Sequence, residues 1–140
     1  MRSLMRHARA SLILAGLCLI TAGIANAAVG GGFRGKTSQK QPISFTVSRG
    51  HVRQLDYRIV DTCPGGAKLI NHDFGFSPIR VAHSKFGGTF FDKAHHAKAV
   101  IKGTFKQGVV HGSILDQTRS ATTHKICTGA AKFTVRRAHR

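Results

Sequence analysis

The sequence predicts an all-β domain, an antiparallel β-sandwich with a small β-barrel as the alternative. Three observations lead there. After residue 27, no window of about a dozen residues repeats its apolar positions at the helical period. Short stretches that alternate apolar and polar residues recur instead, at roughly ten-residue spacing. The stretches are separated by polar turns rich in glycine, of which the chain has 16. Roughly six to nine short strands can be counted in this way.

The chain opens with Arg2, Arg6 and Arg9, continues through an apolar run from Leu12 to Ile24 and reaches Ala25-Asn26-Ala27. Positive start, apolar middle and small-x-small end are the three parts of a secretory signal peptide. The run is shorter than the roughly 18–20 residues that cross a bilayer, and no later segment supplies such a run. The expected organisation is a signal peptide over 1–27, which takes Cys18 with it, a flexible Gly-rich leader over 28–32 and one β domain over 33–140. The expected location is outside the cell.

The strands follow in order. Phe33 to Thr37 is short and broken by Gly35, which suits an edge strand. Ile43-x-Phe45-x-Val47 alternates cleanly and ends at Arg49-Gly50. Leu55-x-Tyr57-x-Ile59 leads towards Cys63, and Pro64-Gly65-Gly66 makes a turn there. From Lys68 the pattern becomes irregular until Ile79-x-Val81. Phe86 to Phe91 follows, and Gly87-Gly88 inside it predicts a bulge or a turn. Ala99-x-Ile101-x-Gly103-x-Phe105 is the cleanest later strand, joined by the short loop Lys106-Gln107-Gly108 to Val110-x-Gly112-x-Ile114 as a hairpin. Gln117 to Lys125 reads as a polar loop, and Phe133-x-Val135 as the last strand.

Removal of the signal leaves Cys63 and Cys127, in a compartment where thiols oxidise, and a structural disulfide between them is expected. Closing a loop of about 64 residues is worth about 4 kcal/mol by chain entropy. The signal also takes three of the 22 Lys and Arg and none of the five Asp, leaving a formal charge of +14. Such a charge opposes compaction and favours anionic partners. With no glutamate in the chain, any catalytic carboxylate must be Asp56, Asp61, Asp73, Asp92 or Asp116. These five are expected to lie near lysines or arginines and to moderate the positive field.

Gly30-Gly31-Gly32-Phe33-Arg34-Gly35-Lys36-Thr37 fits the phosphate-cradling pattern G-x-x-x-x-G-K-[ST]. A working loop of that kind ends in a helix whose amides face the phosphates, whereas Pro42 and an alternating strand follow here. The same objection removes Gly30-x-Gly32-x-x-Gly35 as a dinucleotide fingerprint, so no cofactor is expected. The adjacent pair His95–His96 is the one candidate nucleus for a metal site, although neighbouring strand residues point to opposite faces and the histidine spacings define no ligand set. No G-x-S-x-G nucleophile elbow is present, and no catalytic residue is assigned.

The basic residues carry the functional signal. Lys98, Lys102 and Lys106 share one parity, opposite to Ala99, Ile101, Gly103 and Phe105, and therefore share a solvent face. With Arg136 and Arg137 they form the candidate anion-binding set. One tyrosine and no tryptophan leave few stacking platforms for specific nucleic-acid recognition. The expectation is a secreted, non-enzymatic basic domain that interacts with an anionic cell-wall polymer, a membrane surface or an acidic partner. A small secreted hydrolase built on one histidine and one aspartate, and a histidine-based metal binder, are the alternatives.

The set Phe33-Arg34-Gly35-Lys36-Thr37-Ser38-Gln39, Cys63, Gly103-Thr104-Phe105 and Cys127-x-Gly129 resembles a group of small exported actinobacterial proteins of unknown function. The resemblance spans nearly the whole chain after the signal. It implies a secreted all-β domain with one disulfide and transfers no catalytic residue.

Overall fold

A computed structural model describes residues 30–138; the expected signal peptide over 1–27 and the last two residues lie outside them. Nine antiparallel strands form the fold: β1 (Gly31–Thr37), β2 (Pro42–Ser48), β3 (His51–Thr62), β4 (Lys68–Phe74), β5 (Ile79–Ala82), β6 (Lys85–Asp92), β7 (Ala97–Lys106), β8 (Val109–Arg119) and β9 (Ile126–Arg137). Strand β1 begins inside the stretch expected as leader, because Gly31 and Gly32 pair with Val47 and Thr46 of β2.

All nine strands belong to one sheet, in the order β2-β1-β9-β8-β7-β6-β5-β3-β4, and β2 pairs with β3 as well. The hydrogen-bond ladder therefore returns to its start, so the expected all-β antiparallel fold is built as one barrel-like sheet. Its ring has an even number of strands, which lets every contact be antiparallel. Strand β1 is consequently no edge strand: β2 flanks it on one side and β9 on the other. The glycine-rich pattern it carries continues as paired strand, with no helix to receive a phosphate.

Tight turns set the register. Arg49-Gly50, His83-Ser84 and Gln107-Gly108 all have positive φ at both positions, the geometry whose twist matches that of the strands it joins. The expected hairpin of β7 and β8 forms about Gln107-Gly108, from Lys106↔Val109 to Lys98↔Gln117. At Gln54, φ is +50° and the β2–β3 register slips by one residue. That bulge lets Val52 and Leu55 both point inward.

Three local expectations are corrected. Strand β6 runs through Gly87-Gly88 without a register shift, because each residue from Lys85 to Asp92 finds a partner on β7. The Gln117 to Lys125 loop is shorter than expected, since β8 continues to Arg119 in pairing with β9. The irregular stretch after Lys68 contains a full strand, β4. It alternates as a strand should, but with Asn71 and Asp73 inward and Ile70 and Phe74 outward.

The inward side chains divide into two zones. At one end Phe33, Phe45, Phe86 and Phe105 interlock, with ring centroids 5.3–5.7 Å apart in stacked, tilted and edge-on pairs, surrounded by Val47, Val52, Val110 and Val135. Gly103 lies directly across from Phe86; a Cβ there would run into that ring, so glycine is what lets the aromatic lie flat on its neighbour. Apolar surface removed from water is worth about 25 cal/mol per Å², and all eight of these side chains are buried. At the other end, beyond Ile59, Ile101 and Ile114, the interior becomes polar.

Two seams complete the wall. Where β2 ends, the Gln39 side chain takes the place of a strand, donating to Val60 O at 2.9 Å and accepting from Val60 N at 2.7 Å. Beyond it β3 meets β9 through one pair, Thr62↔Thr128, and the Cys63–Cys127 disulfide adjoins that pair. The bridge thus ties the end of β3 to the start of β9. The second seam remains partly open. Strand β6 pairs with β5 only at Val81↔Phe86 and Ala82↔Lys85, after which the free edges of β6 and β4 separate and a cleft opens between them.

Candidate functional site

The basic residues sort according to strand register. Lys102 of β7 lies across from Ser113, which lies across from Lys132 of β9. The next rung runs Lys85, Thr104, His111, Thr134, Lys36. A third runs Lys106, Val109, Arg136, Arg34. All seven lysines and arginines on these rungs are exposed. With strands about 4.8 Å apart and alternate residues about 6.8 Å apart, they form one continuous patch on the outer wall of β6, β7, β8, β9 and β1. Lys36, the lysine of the glycine-rich pattern, belongs to it.

Of the five residues expected to bind anions, Lys102, Lys106 and Arg136 lie in this patch. Lys98 shares their face on β7 but is half-buried, with Nζ 5.6 Å from the centre of the Phe91 ring. Arg137 departs from the set: it has the opposite parity to Arg136 at the strand end, and its guanidinium donates to Gly30 O. Lys85, Lys132, Arg34 and Lys36 are the members that sequence reasoning missed, because only the register brings them together.

The aspartates do not moderate the field as expected. Among the described residues no Asp lies within ion-pair distance of a lysine or arginine; the two ion pairs are His72–Asp56 at 3.0 Å and His95–Asp92 at 2.7 Å. Asp92 holds the His95 imidazole above its ordinary pKa by hydrogen bonding, and His95 lowers Asp92 in turn. The seven described histidines are spread over the exterior, none lines the cleft, and no three His, Cys or Asp side chains among the described residues gather as metal ligands. His95 and His96 sit in the turn between β6 and β7.

The other three aspartates are inside the barrel. Asp61 is 0% and Asp116 1% exposed, and Asp73 reaches inward from β4. The Asn71 side-chain nitrogen donates towards Asp61 Oδ2 at 2.5 Å, Asp116 Oδ2 at 3.1 Å and Thr118 Oγ1 at 2.9 Å. An amide has two hydrogens for these three acceptors, so the group is short of donors. Asp61 Oδ1, Asp73 Oδ2 and the Tyr57 hydroxyl are buried without a hydrogen-bond partner.

Gathered negative charge out of water is costly, and protons relieve it. Burial pushes the Asp61 carboxyl up to about 7, helped by the charges of Asp116 and Asp73. Burial likewise pushes Asp116 up to about 6, with Asp73 adding to it. Asp73 is raised mainly by burial, and Tyr57 is raised by burial and then by the facing aspartates. The interior therefore holds carboxyls that exchange protons near neutrality, beside a phenol that keeps its own.

Space for the cluster depends on β9. Gly129 pairs with Asp116; a Cβ on it would overlap Asp61 Oδ1 and come within 3.0 Å of the Val60 carbonyl oxygen, a backbone atom that cannot step aside. Gly129→Ala is expected to cost about 1–3 kcal/mol by overpacking in urea unfolding. Gly32→Ala, where a Cβ meets nothing within 4 Å, should stay within about 0.5 kcal/mol of the parent.

The cleft between β4 and β6 opens onto this cluster. Asp73 and Asp116 line it together with Phe74, Phe76, Phe90, Phe91, Lys93 and Lys98, and its volume is about 580 Å³. Sequence reasoning missed the site, although a signal was present. Asp61 continues the inward parity of Leu55, Tyr57 and Ile59, and Asp116 that of Val110 and Ile114. Strand β4, with its polar side turned in, is the third sign. Compared with known protein families, curated proteins and solved structures, the chain matches none.

Proposed function

We propose that the protein is a secreted, non-enzymatic domain that binds anionic cell-envelope material through the basic wall of β6 to β9 and β1. The observation that carries this reading is the separation of charge by sign. Three of the five aspartates are turned into the barrel, and the three rungs of the wall bear seven exposed lysines and arginines and no acid. Arg34 and Arg136 lie directly across from one another, a like-charge juxtaposition that weakens a sheet. A surface that keeps such repulsion without acids to relieve it is suited to counter-charges brought by a partner. An anionic wall polymer or a membrane surface offers them at a spacing that needs no shape match. A disulfide is compatible with the oxidising exterior, and no helix among the described residues is long and apolar enough to cross a membrane.

Retention on purified wall material and on vesicles containing anionic lipid tests the reading across salt. Binding at low salt should disappear by about 0.5 M, where the screening length is only a few ångströms. Lys102→Glu combined with Lys132→Glu should weaken retention at least about tenfold, because charge is reversed rather than removed. Arg58→Gln, on the exposed face of β3, should have little effect. Failure to bind at low salt, or equal loss in the β3 variant, would overturn the proposal.

A further inference from the structure

We propose that the cleft between β4 and β6 is a binding site for a small organic cation, an ammonium on an aromatic or aliphatic body, received with its charge against Asp73 and Asp116. This site is distinct from the basic wall and does not depend on the reading given to it. Buried carboxylates are ordinarily paired with a cation. Here a chain with 22 lysines and arginines places none within ion-pair distance of Asp61, Asp73 or Asp116 among the described residues. The missing counter-charge has to come from protons or from outside the chain.

The polar atoms left unpaired match what an ammonium offers. Asp61 Oδ1 and Asp73 Oδ2 are buried acceptors without a partner, Asp73 lines the cleft, and the Tyr57 hydroxyl, 0% exposed, offers a single donor to the three aspartates it stands among. A primary ammonium has three N–H donors and no acceptor. It would supply the donors that Asn71 lacks. A bare metal ion fits less well, because no three side chains are arranged as its ligands among the described residues.

The walls suit the rest of such a molecule. Phe76 packs edge-on against Phe90 with centroids 4.8 Å apart and is stacked on Tyr57 at 5.6 Å. At the mouth Phe74 and Phe91, 70% and 68% exposed, add two more aromatic rings to the lining. Aromatic faces attract cations, and the Phe91 ring already holds the Lys98 ammonium at 5.6 Å. The volume, about 580 Å³, lies within the range of small-molecule sites.

Charge decides how the site should respond to pH. Asp116 is faced by Asp61 and Tyr57 from β3 and by Asp73 from β4; His72 and Asp92 act on Asp73 from outside, and Lys93 and Lys98 stand at the mouth. Strand β9 contributes Gly129 and no titrating group. Protonation of the carboxyls therefore removes the attraction for a cation while leaving the phenylalanines unchanged.

The test is a heteronuclear NMR titration of the disulfide-bonded protein with 2-phenylethylammonium, its neutral isostere 2-phenylethanol and phenylacetate. At about pH 8 the ammonium should shift the amides of residues 73–77, 89–93 and 116 saturably and bind at least about tenfold more tightly than the alcohol. At about pH 5 that advantage should fall about tenfold. Asp116→Asn, which leaves Asp73 as the one carboxylate lining the cleft, should reduce that advantage at least about threefold. Equal or tighter binding of the alcohol, preference for phenylacetate, or no saturable shift up to about 20 mM, where even a weak site of millimolar Kd would fill, overturns the proposal. The three probes act on the unmodified protein, so the outcome stands even if the variant does not fold.

Discussion

Reduction of the Cys63–Cys127 bridge, or replacement of both cysteines by serine, is expected to lower the unfolding free energy by about 2–4 kcal/mol. Chain entropy accounts for such a loss by itself, since the bridge spans 64 residues of sequence. The geometry adds a reason to expect the upper part of the range. Strands β3 and β9 are joined by a single residue pair, and the ladder of β2 has already ended at Ile43↔Tyr57. Without the bridge, this seam depends on the Gln39 side chain and one backbone pair. The lesion would also reach the acidic interior, because Asp61 precedes Cys63 by two residues and Gly129 follows Cys127 by two. Urea unfolding with and without reductant measures the change. Faster hydrogen exchange at Val60 and Thr128 should accompany it, and an unchanged midpoint would show that the seam holds without the covalent link.

Asp61→Asn is expected to stabilise the protein above neutrality, by on the order of 1–3 kcal/mol. The native carboxyl is raised from 3.8 to about 7 by burial and by its two neighbours. Below about pH 4 both the folded and the unfolded chain hold this proton, and the residue makes no difference to pH dependence. Between about 4 and 7 the unfolded chain releases the proton while the folded chain keeps it, so stability falls as pH rises. Above about 7 the loss is complete and level. Asp116, raised to about 6, and Asp73, also raised, act in the same direction. An asparagine keeps the shape and escapes the penalty, so the gap between variant and parent should widen from about pH 4 to 7 and then stay constant. Comparing melting temperatures of the two proteins at each pH cancels the groups common to both. A gap independent of pH would mean that Asp61 ionises as freely inside the barrel as in water.

The parts of this fold that were legible are those governed by near neighbours. The short loop Lys106-Gln107-Gly108 announced a hairpin because it joins two alternating runs through a glycine. Leu55, Tyr57 and Ile59, or Ala99, Ile101 and Phe105, announced strands because alternate residues share a face. Strand β4 escaped because its alternation is inverted: a strand that turns Asn71 and Asp73 inward and Phe74 outward violates the assumption that apolar residues mark the core. The same assumption concealed Asp61 and Asp116, which hold inward parity on strands whose earlier residues had been read as core. The inversion marks the interior polar zone and the cleft, and a buried polar residue is more informative than a buried apolar one.

The sequence by itself determined the all-β class, the clearly alternating strands, the β7–β8 hairpin, the net positive charge and the expected pairing of Cys63 with Cys127. Each of these is a property of composition or of residues within a few positions of one another. The tertiary structure alone decided that the sheet closes, that Lys102 and Lys132 belong to one patch, that Arg137 does not, and that three aspartates from three strands share one interior. Those outcomes depend on register between strands distant in sequence, and a shift of a single residue would have turned every one of these side chains to the opposite face.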